Sequence, residues 1–393
     1  MLNFINEAGK PDNGGFLMAK AVEVRDLVKW YGKTLALNGV TFDVDAGDFF
    51  VIMGPSGCGK STTMKILAGL LDWDSGEVYI NGKNMRGVPA YKRDVSLMLE
   101  TYALFPHMTV YDNIAFGLRM LGKPEDEIKK KVEWALELVG MPGFEKRFPD
   151  ELSGGQRQRV ALARSLVVEP SVLLLDEPLS HVDYRLMRKL IEDLKIIHKK
   201  VGNTFILTTH YQEQGLSMAD TLMIMNTGVV EQIGTPEEIY WRPRTVFAAR
   251  FVGEINLFSG TVKSKSDGGY YVKTEIGEFE GIVPYESSEE IIGKNVAYGI
   301  RLERVMLTEE ESKLPNKIKA ELSGYYFFGD KIEYVFTTES GQIIKMSKPT
   351  LEEEKLLEVG KKYVLGWRTK DGIILEKPCM IEGLNIEEVI YGK

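Results

Sequence analysis

Runs that are apolar at nearly every position alternate along this chain with segments that are apolar at every third or fourth. The runs are Asp48–Met53 (DFFVIM), Ser171–Asp176 (SVLLLD) and Thr204–Thr208 (TFILT). Near-continuous apolarity of this length is what a parallel strand buried on both faces requires. Ser61–Leu71 reads as a helix. Val182–Lys200 has helical spacing between the second and third runs, which predicts a βαβ unit. A helix-rich insert lies between the first two runs. Within it Pro124–Val139 places Ile128, Val132, Ala135, Leu136 and Val139 on one face, with Pro124 near the start and Gly140 just past the end.

The texture changes near Trp241-Arg242-Pro243-Arg244. Beyond Leu257 the period drops to two, in short runs broken by glycine: Tyr270–Thr274, Lys331–Thr337, Gly341–Met346 and Tyr363–Arg368. This predicts a small β-barrel or β-sandwich domain. Gly260-Thr261-Val262 and Ala320-Glu321-Leu322 read as the starts of two related β units.

The chain has 393 residues, enough for two domains with separate cores. Its hydrophobic (44%) and charged (27%) contents are those of a soluble globular protein. A net charge of −8 gives no overall basic field for nucleic acid or anionic lipid. No apolar stretch approaches the roughly 18 residues of a membrane span, so any membrane role must act through a partner. Two cysteines, Cys58 and Cys379, make no disulfide framework and fit a reducing cytosol. The first residues lack a signal-peptide pattern, and Asn13-Gly14-Gly15 suggests a flexible leader.

Four motifs carry chemistry. Gly54-Pro55-Ser56-Gly57-Cys58-Gly59-Lys60-Ser61 is a phosphate loop, set between a strand and a helix as that motif requires. Its glycines let backbone N–H groups curl around phosphates, and Thr62 continues into the helix whose dipole favours an anion. Lys60 reaches the β/γ-phosphates, and the Ser61 hydroxyl suits Mg²⁺. Asp176 ends a buried strand, where a carboxylate can hold the Mg²⁺ shell. Glu177 follows it, placed to act as general base toward water. Alone, such an acidic pair reads as a helix cap; beside a phosphate loop it reads as catalytic. His210 ends the next strand, able to contact the γ-phosphate or to orient Glu177. Ser153 is placed to cap a helix that begins at Gly154-Gly155.

With Leu152-Ser153-Gly154-Gly155-Gln156 the chain resembles the ATP-binding-cassette (ABC) ATPases, over residues of about 22 to 256. The resemblance implies a P-loop α/β domain with a helical subdomain, followed by an all-β, oligonucleotide-binding-like regulatory domain. The implied boundaries are a leader at 1–20, the ATPase domain at 21–256 with its helical subdomain at about 105–165, and the β domain at 257–393. It also implies a head-to-tail homodimer that hydrolyses ATP with Mg²⁺. In such a dimer Ser153, Gly154, Gly155 and Gln156 contact ATP held by the partner's phosphate loop. Tyr31 matches the aromatic that stacks on adenine, with Trp30 as competitor. Asp183, in Ser180-His181-Val182-Asp183, matches the loop that couples the two sites, and Arg147 is a weaker candidate for reaching nucleotide across the dimer. One position departs: where the family has a Mg²⁺-binding glutamine that senses the permease, this chain has Glu100, a carboxylate that can still ligate Mg²⁺ beside Ser61 and Asp176 but places negative charge near the γ-phosphate.

The segment Tyr102–Val110 with Tyr111–Phe116 resembles the importers of the maltose and multiple-sugar group, in which Tyr102, Ala103, Leu104 and Phe105 would border the permease groove. Gly299-Ile300-Arg301-Leu302-Glu303 is similar to that group's Gly-Ile-Arg-Pro-Glu, with leucine in place of proline. The resemblance therefore implies a sugar importer ATPase, peripheral on the cytoplasmic face. It would work with two transmembrane permease subunits and, indirectly, a solute-binding protein. An importer for polyamines, sulfate or ions is the alternative. A non-transport ABC ATPase acting on nucleic acid fits less well, because the insert is short and shows no sustained heptads.

Overall fold

The structure, a computed structural model, describes residues 19–180, 184–285, 290–351, 356–381 and 386–391. Residues 1–18 of the expected leader, and Asp183, lie outside them. The N-terminal domain runs β1 (Lys20–Tyr31), β2 (Thr34–Asp45), β3 (Phe49–Met53), α1 (Lys60–Leu67), β4 (Ser75–Ile80), β5 (Lys83–Asn84), β6 (Val95–Met98), α2 (Val110–Met120), α3 (Glu125–Leu138), α4 (Gly154–Leu166), β7 (Val172–Asp176), α5 (Tyr184–Val201), β8 (Thr204–Thr209), α6 (Gln212–Met218), β9 (Thr221–Asn226), β10 (Val229–Gly234), α7 (Pro236–Trp241) and α8 (Val246–Phe251). β1 begins inside the segment assigned to the leader.

Among the described residues, the main sheet has the order β10-β9-β3-β8-β7-β6, parallel except at β10. Every residue of β3, β7 and β8 is buried, as their unbroken apolar runs require. The two faces of β3 feed two cores. Phe49, Val51 and Met53 join the helices α2 to α5, while Phe50 and Ile52 join the antiparallel sheet of order β2-β1-β4-β5. Each fully buried side chain of this size contributes about 1.5–3 kcal/mol. The helix expected to reach Leu71 stops at Leu67. Gly69 turns there with φ +75°, and Arg93 is packed so close that a Cβ at Gly69 would sit 2.7 Å from its Nε.

Register fixes the functional end of the sheet. Met53 lies beside Thr209, Met98 beside Leu175 and Asp176 beside Thr208. The segments that follow β3, β6, β7 and β8 therefore emerge side by side. The carboxyl ends of parallel strands are where open α/β sheets bind ligands.

The C-terminal domain runs β11 (Ile255–Lys265), β12 (Tyr270–Thr274), β13 (Gly277–Gly281), β14 (Asn295–Arg301), β15 (Met306–Thr308), β16 (Asn316–Phe327), β17 (Lys331–Thr338), β18 (Ile343–Pro349), β19 (Lys362–Trp367), β20 (Gly372–Leu375) and α9 (Ile386–Tyr391). Its two sheets, β13-β12-β11-β14-β20 and β15-β19-β16-β17-β18, share one core. The repeat seen in the sequence is real. Gly260 pairs with Thr274 and Ala320 with Thr338, and each long strand bulges directly after, at Val262/Ser264 and Leu322/Gly324. Each unit is a three-strand meander whose fourth strand returns beside the first, and the closing strands are exchanged. β15 completes the sheet of the second unit, and β20 that of the first.

The two units use one matching arginine differently. Gly366-Trp367-Arg368 corresponds to Gly299-Ile300-Arg301. Arg368 pairs locally with Asp371, at 2.6 Å. Arg301 is 1% exposed and donates to the carbonyls of Ala249, Gly253 and Tyr240, which join the β domain to the end of the N-terminal domain.

Candidate active site

The glycine loop leaves β3 under tight steric limits. A Cβ on Gly54 would stand 2.3 Å from the Met225 carbonyl, and one on Gly59 2.9 Å from that of Ala36. Gly57 and Gly59 also have φ of +82° and +109°, a region closed to most side chains. Gly59 is the N-cap of α1 and makes no side-chain cap, so the first amides of α1, including those of Ser61 and Thr62, are open to an anion. Pro55 and Ser56 carry the chain around the turn. The Cys58 thiol is buried, and burial pushes its pKa up, so its part in the loop is played by its backbone. Lys60 is buried, and its Nζ donates to the carbonyls of Gly54 (2.8 Å) and Pro55 (3.0 Å).

Across the loop, Thr208 organises the acidic pair. Its hydroxyl donates to Asp176 Oδ1 at 2.7 Å and accepts from the Glu177 backbone N–H at 3.0 Å. Ser61 Oγ donates to the same Asp176 oxygen, at 3.0 Å. Glu177 has a φ of +45°, a left-handed conformation that costs a non-glycine residue about 1–2 kcal/mol. Its fixed partners sustain it. One carboxylate oxygen meets His210 Nδ1 at 3.0 Å, and the other lies 3.6 Å from Lys60 Nζ. Thr208 was legible only as a strand residue, and its bridging role was missed. Glu100 follows β6 beside this group, and its Oε1 accepts from Ser180 Oγ at 3.2 Å, while the Ser180 N–H donates to the Glu177 carbonyl at 3.3 Å. The loops after β6 and β7 are thus tied together.

Ser61 and Asp176 offer two oxygens to a cation. That suits Mg²⁺, which keeps waters and substrate phosphates as its other ligands. The open amides and Lys60 suit the triphosphate.

The signature residues lie at the start of α4. Ser153 Oγ accepts from the Gln156 N–H (3.4 Å) and Gln156 Oε1 from the Ser153 N–H (2.9 Å), forming a capping box. Gly155 is buried against Leu186: a Cβ there would meet Leu186 Cδ2 at 3.1 Å. Gly154 is open, with nothing near its missing Cβ. Trp30 and Tyr31, at the end of β1, are 45% and 47% exposed, and strand alternation points them to opposite faces. Arg147 stacks on Phe144, 4.3 Å from its centroid.

Of the four residues expected to face a permease, Tyr102 does not: it is only 9% exposed and its ring packs into the helical core. Ala103, Leu104 and Phe105 remain at least partly accessible.

A phosphate loop, an acid pair and a capped glycine-rich helix on this sheet define a nucleotide-hydrolysing cassette. A profile described as ABC transporter matches residues 37–180, and one described as TOBE domain matches residues 298–375. The chain belongs to the ATP-binding subunits of ABC transporters, which hydrolyse ATP with Mg²⁺. It is similar to the "Spermidine/putrescine import ATP-binding protein PotA" of Nostoc sp. (strain PCC 7120), 41% identical over 85% of this chain and 88% of that protein. The protein of that name from Nitrosospira multiformis is 41% identical, over 91% of this chain and 99% of its own length. That from Vibrio vulnificus is 37% identical, over 93% and 95%. Among solved structures, cbiO1 from Clostridium perfringens, part of the ABC transporter complex cbiONQ, superposes with a TM-score of 0.53 at 31% identity. The match covers 60% of this chain and 93% of cbiO1.

Proposed function

We propose that this chain is the ATPase subunit of a polyamine importer, peripheral on the cytoplasmic face and bound to transmembrane permease subunits. The observation that carries the choice of solute is the set of relatives named for spermidine and putrescine import. They match over nearly all of both chains, the β domain included. They favour the polyamine alternative over carbohydrate, which rested on the segment Tyr102–Phe116 and on the likeness of Gly299–Glu303 to the sugar group's β domain. Among the described residues no helix is long and apolar enough to cross a membrane, in keeping with a separate permease.

The site supports the following roles. Lys60 leaves the carbonyls of Gly54 and Pro55 for the β/γ-phosphate oxygens as the loop amides close on the triphosphate. Ser61 and Asp176 would hold Mg²⁺, which screens phosphate charge when bound. Glu177 takes a proton from the attacking water as that water's oxygen bonds to the γ-phosphorus and the bond to ADP breaks. His210, through Nδ1, orients the Glu177 carboxylate. With Nδ1 already 3.0 Å from the Glu177 carboxylate, orientation is the role this geometry favours. In a head-to-tail homodimer, Ser153 and Gln156 would exchange their mutual cap for the partner's γ-phosphate. Closure is then a population shift driven by contacts made only in the closed state.

The test is uptake by cells expressing this chain with its permease and binding protein. Labelled spermidine or putrescine should accumulate, and the Glu177→Gln variant should abolish it. Uptake of maltose or sulfate instead would overturn the choice of solute.

A further inference from the structure

Tyr102 and Ala103 are consecutive non-glycine residues with φ of +61° and +44°. Two adjacent side-chain-bearing residues in the left-handed region persist only where their surroundings hold them. Helix α4 does so. Arg164 Nη2 donates to the Tyr102 carbonyl at 2.7 Å and Nη1 to the Ala103 carbonyl at 2.8 Å. The planar fork of the guanidinium thus grips two successive peptide groups. It also lies over the Phe105 ring, 5.7 Å from its centroid. Among the described residues Arg164 forms no salt bridge with a carboxylate, so those carbonyls take its directed donors. On its far side Phe105 is pinned by α2: Asn113 Oδ1 accepts its N–H at 2.8 Å and Asn113 Nδ2 donates to its carbonyl at 3.1 Å.

Arg164 stands near the C-terminal end of the helix whose first turn carries Ser153, Gly154, Gly155 and Gln156. At 1.5 Å per residue the two ends are about 15 Å apart along a single hydrogen-bonded rod. We propose that Arg164 is a positioning residue that locks residues 102–105 to α4, so that displacement of the signature end is delivered to this loop as rigid-body motion. The inference rests on the reading that the signature contacts nucleotide across a dimer and that Ala103–Phe105 meets the permease. It adds the residue through which the two are joined. Glu100, two residues before the gripped pair, is carried along, so the same strut links the loop to the nucleotide site.

The test uses the full chain with Arg164→Ala and Arg164→Lys, in two measurements. In the Glu177→Gln background with ATP and Mg²⁺, amide hydrogen exchange is followed at residues 102–106 and in α4. With Arg164→Ala, exchange at 102–106 should quicken by about tenfold while the amides of α4 and ATP affinity change little. With Arg164→Lys, which keeps a donor but not the fork, the effect should be intermediate. That variant also serves if the alanine variant fails to fold. With Glu177 intact, the stimulation of ATP hydrolysis by the permease should fall about fivefold in Arg164→Ala, with the basal rate preserved. Unchanged exchange at 102–106 would remove the strut. Faster exchange with full stimulation would remove its part in transmission. A wild-type chain that no permease stimulates would instead sink the transporter reading, which the exchange result does not depend on.

Discussion

Glu177 carries more constraint than any other side chain in the site. Its backbone is left-handed, its N–H is held by Thr208, and its carboxylate is shared between His210 and Lys60. This is the pattern expected where strain is kept for pre-organisation. Glu100 is the other unusual acid. A carboxylate there adds negative charge beside Asp176 and Glu177, which strengthens attraction for a divalent cation and disfavours a nearby γ-phosphate. Glu100→Gln is therefore expected to raise the Mg²⁺ concentration needed for tight binding of a fluorescent ATP analogue by about threefold to tenfold. An unchanged Mg²⁺ dependence would show that Glu100 does not tune the metal. Single residues were legible where their chemistry leaves few alternatives. A glycine loop ending in Lys60-Ser61, or an acid pair closing an apolar strand, has little else to be. Thr208 and Arg164 were not legible, because a threonine in a strand and an arginine on a helix are ordinary until their partners are known. Tyr102 misled for the same reason: exposure depends on backbone conformation, and its φ of +61° turns the ring into the core.

At the scale of elements, the buried strands were read to within a residue, since apolar runs flanked by polar positions mark their own ends. Helix ends were read less well. α1 stops at Leu67 because Gly69 and Arg93 pack together, a tertiary contact with no local signal. The start of β3 makes a pH-dependent prediction. Burial pushes the Asp48 carboxyl up from 3.8 to about 6; Asp220 and Asp45 push the same way, against the Thr221 hydrogen bond and Lys20. A carboxyl whose folded pKa is raised costs nothing while protonated below pH of about 4 and costs stability as pH rises through 6. Allowing for its partial access to solvent, the cost is about 1 kcal/mol. Asp48→Asn, which keeps the Thr221 contact, should thus raise Tm at pH 8 and leave it unchanged near pH 4. Equal gains at both values would show that charge is not the cause.

For the molecule as a whole, the sequence showed two domains and hinted at a repeat, but not that the repeats exchange their closing strands. Exchange is a matter of which edges meet, and strand patterning alone does not encode that. Its consequence is that neither β unit is complete alone: β20, from the end of the second unit, closes the sheet of the first against β14. Deleting residues 372–393 should therefore disrupt the first unit, with β11 and β14 losing hydrogen-exchange protection while β3, β7 and β8 of the ATPase domain keep theirs. Persistent protection of β14 would contradict the shared architecture. Arg301 adds to the coupling, since its three carbonyl partners belong to residues 240–253 at the domain junction.

The central claim is that the ends of β7 and β8 hold Glu177 as the base for ATP hydrolysis. Steady-state hydrolysis by the full chain tests it, comparing wild type with Glu177→Gln at saturating ATP and Mg²⁺ while ATP binding is measured in parallel. The expected result is a rate lower by at least about a hundredfold with ATP still bound. Equal rates in the two proteins would contradict the assignment of Glu177 and the mechanism built on it.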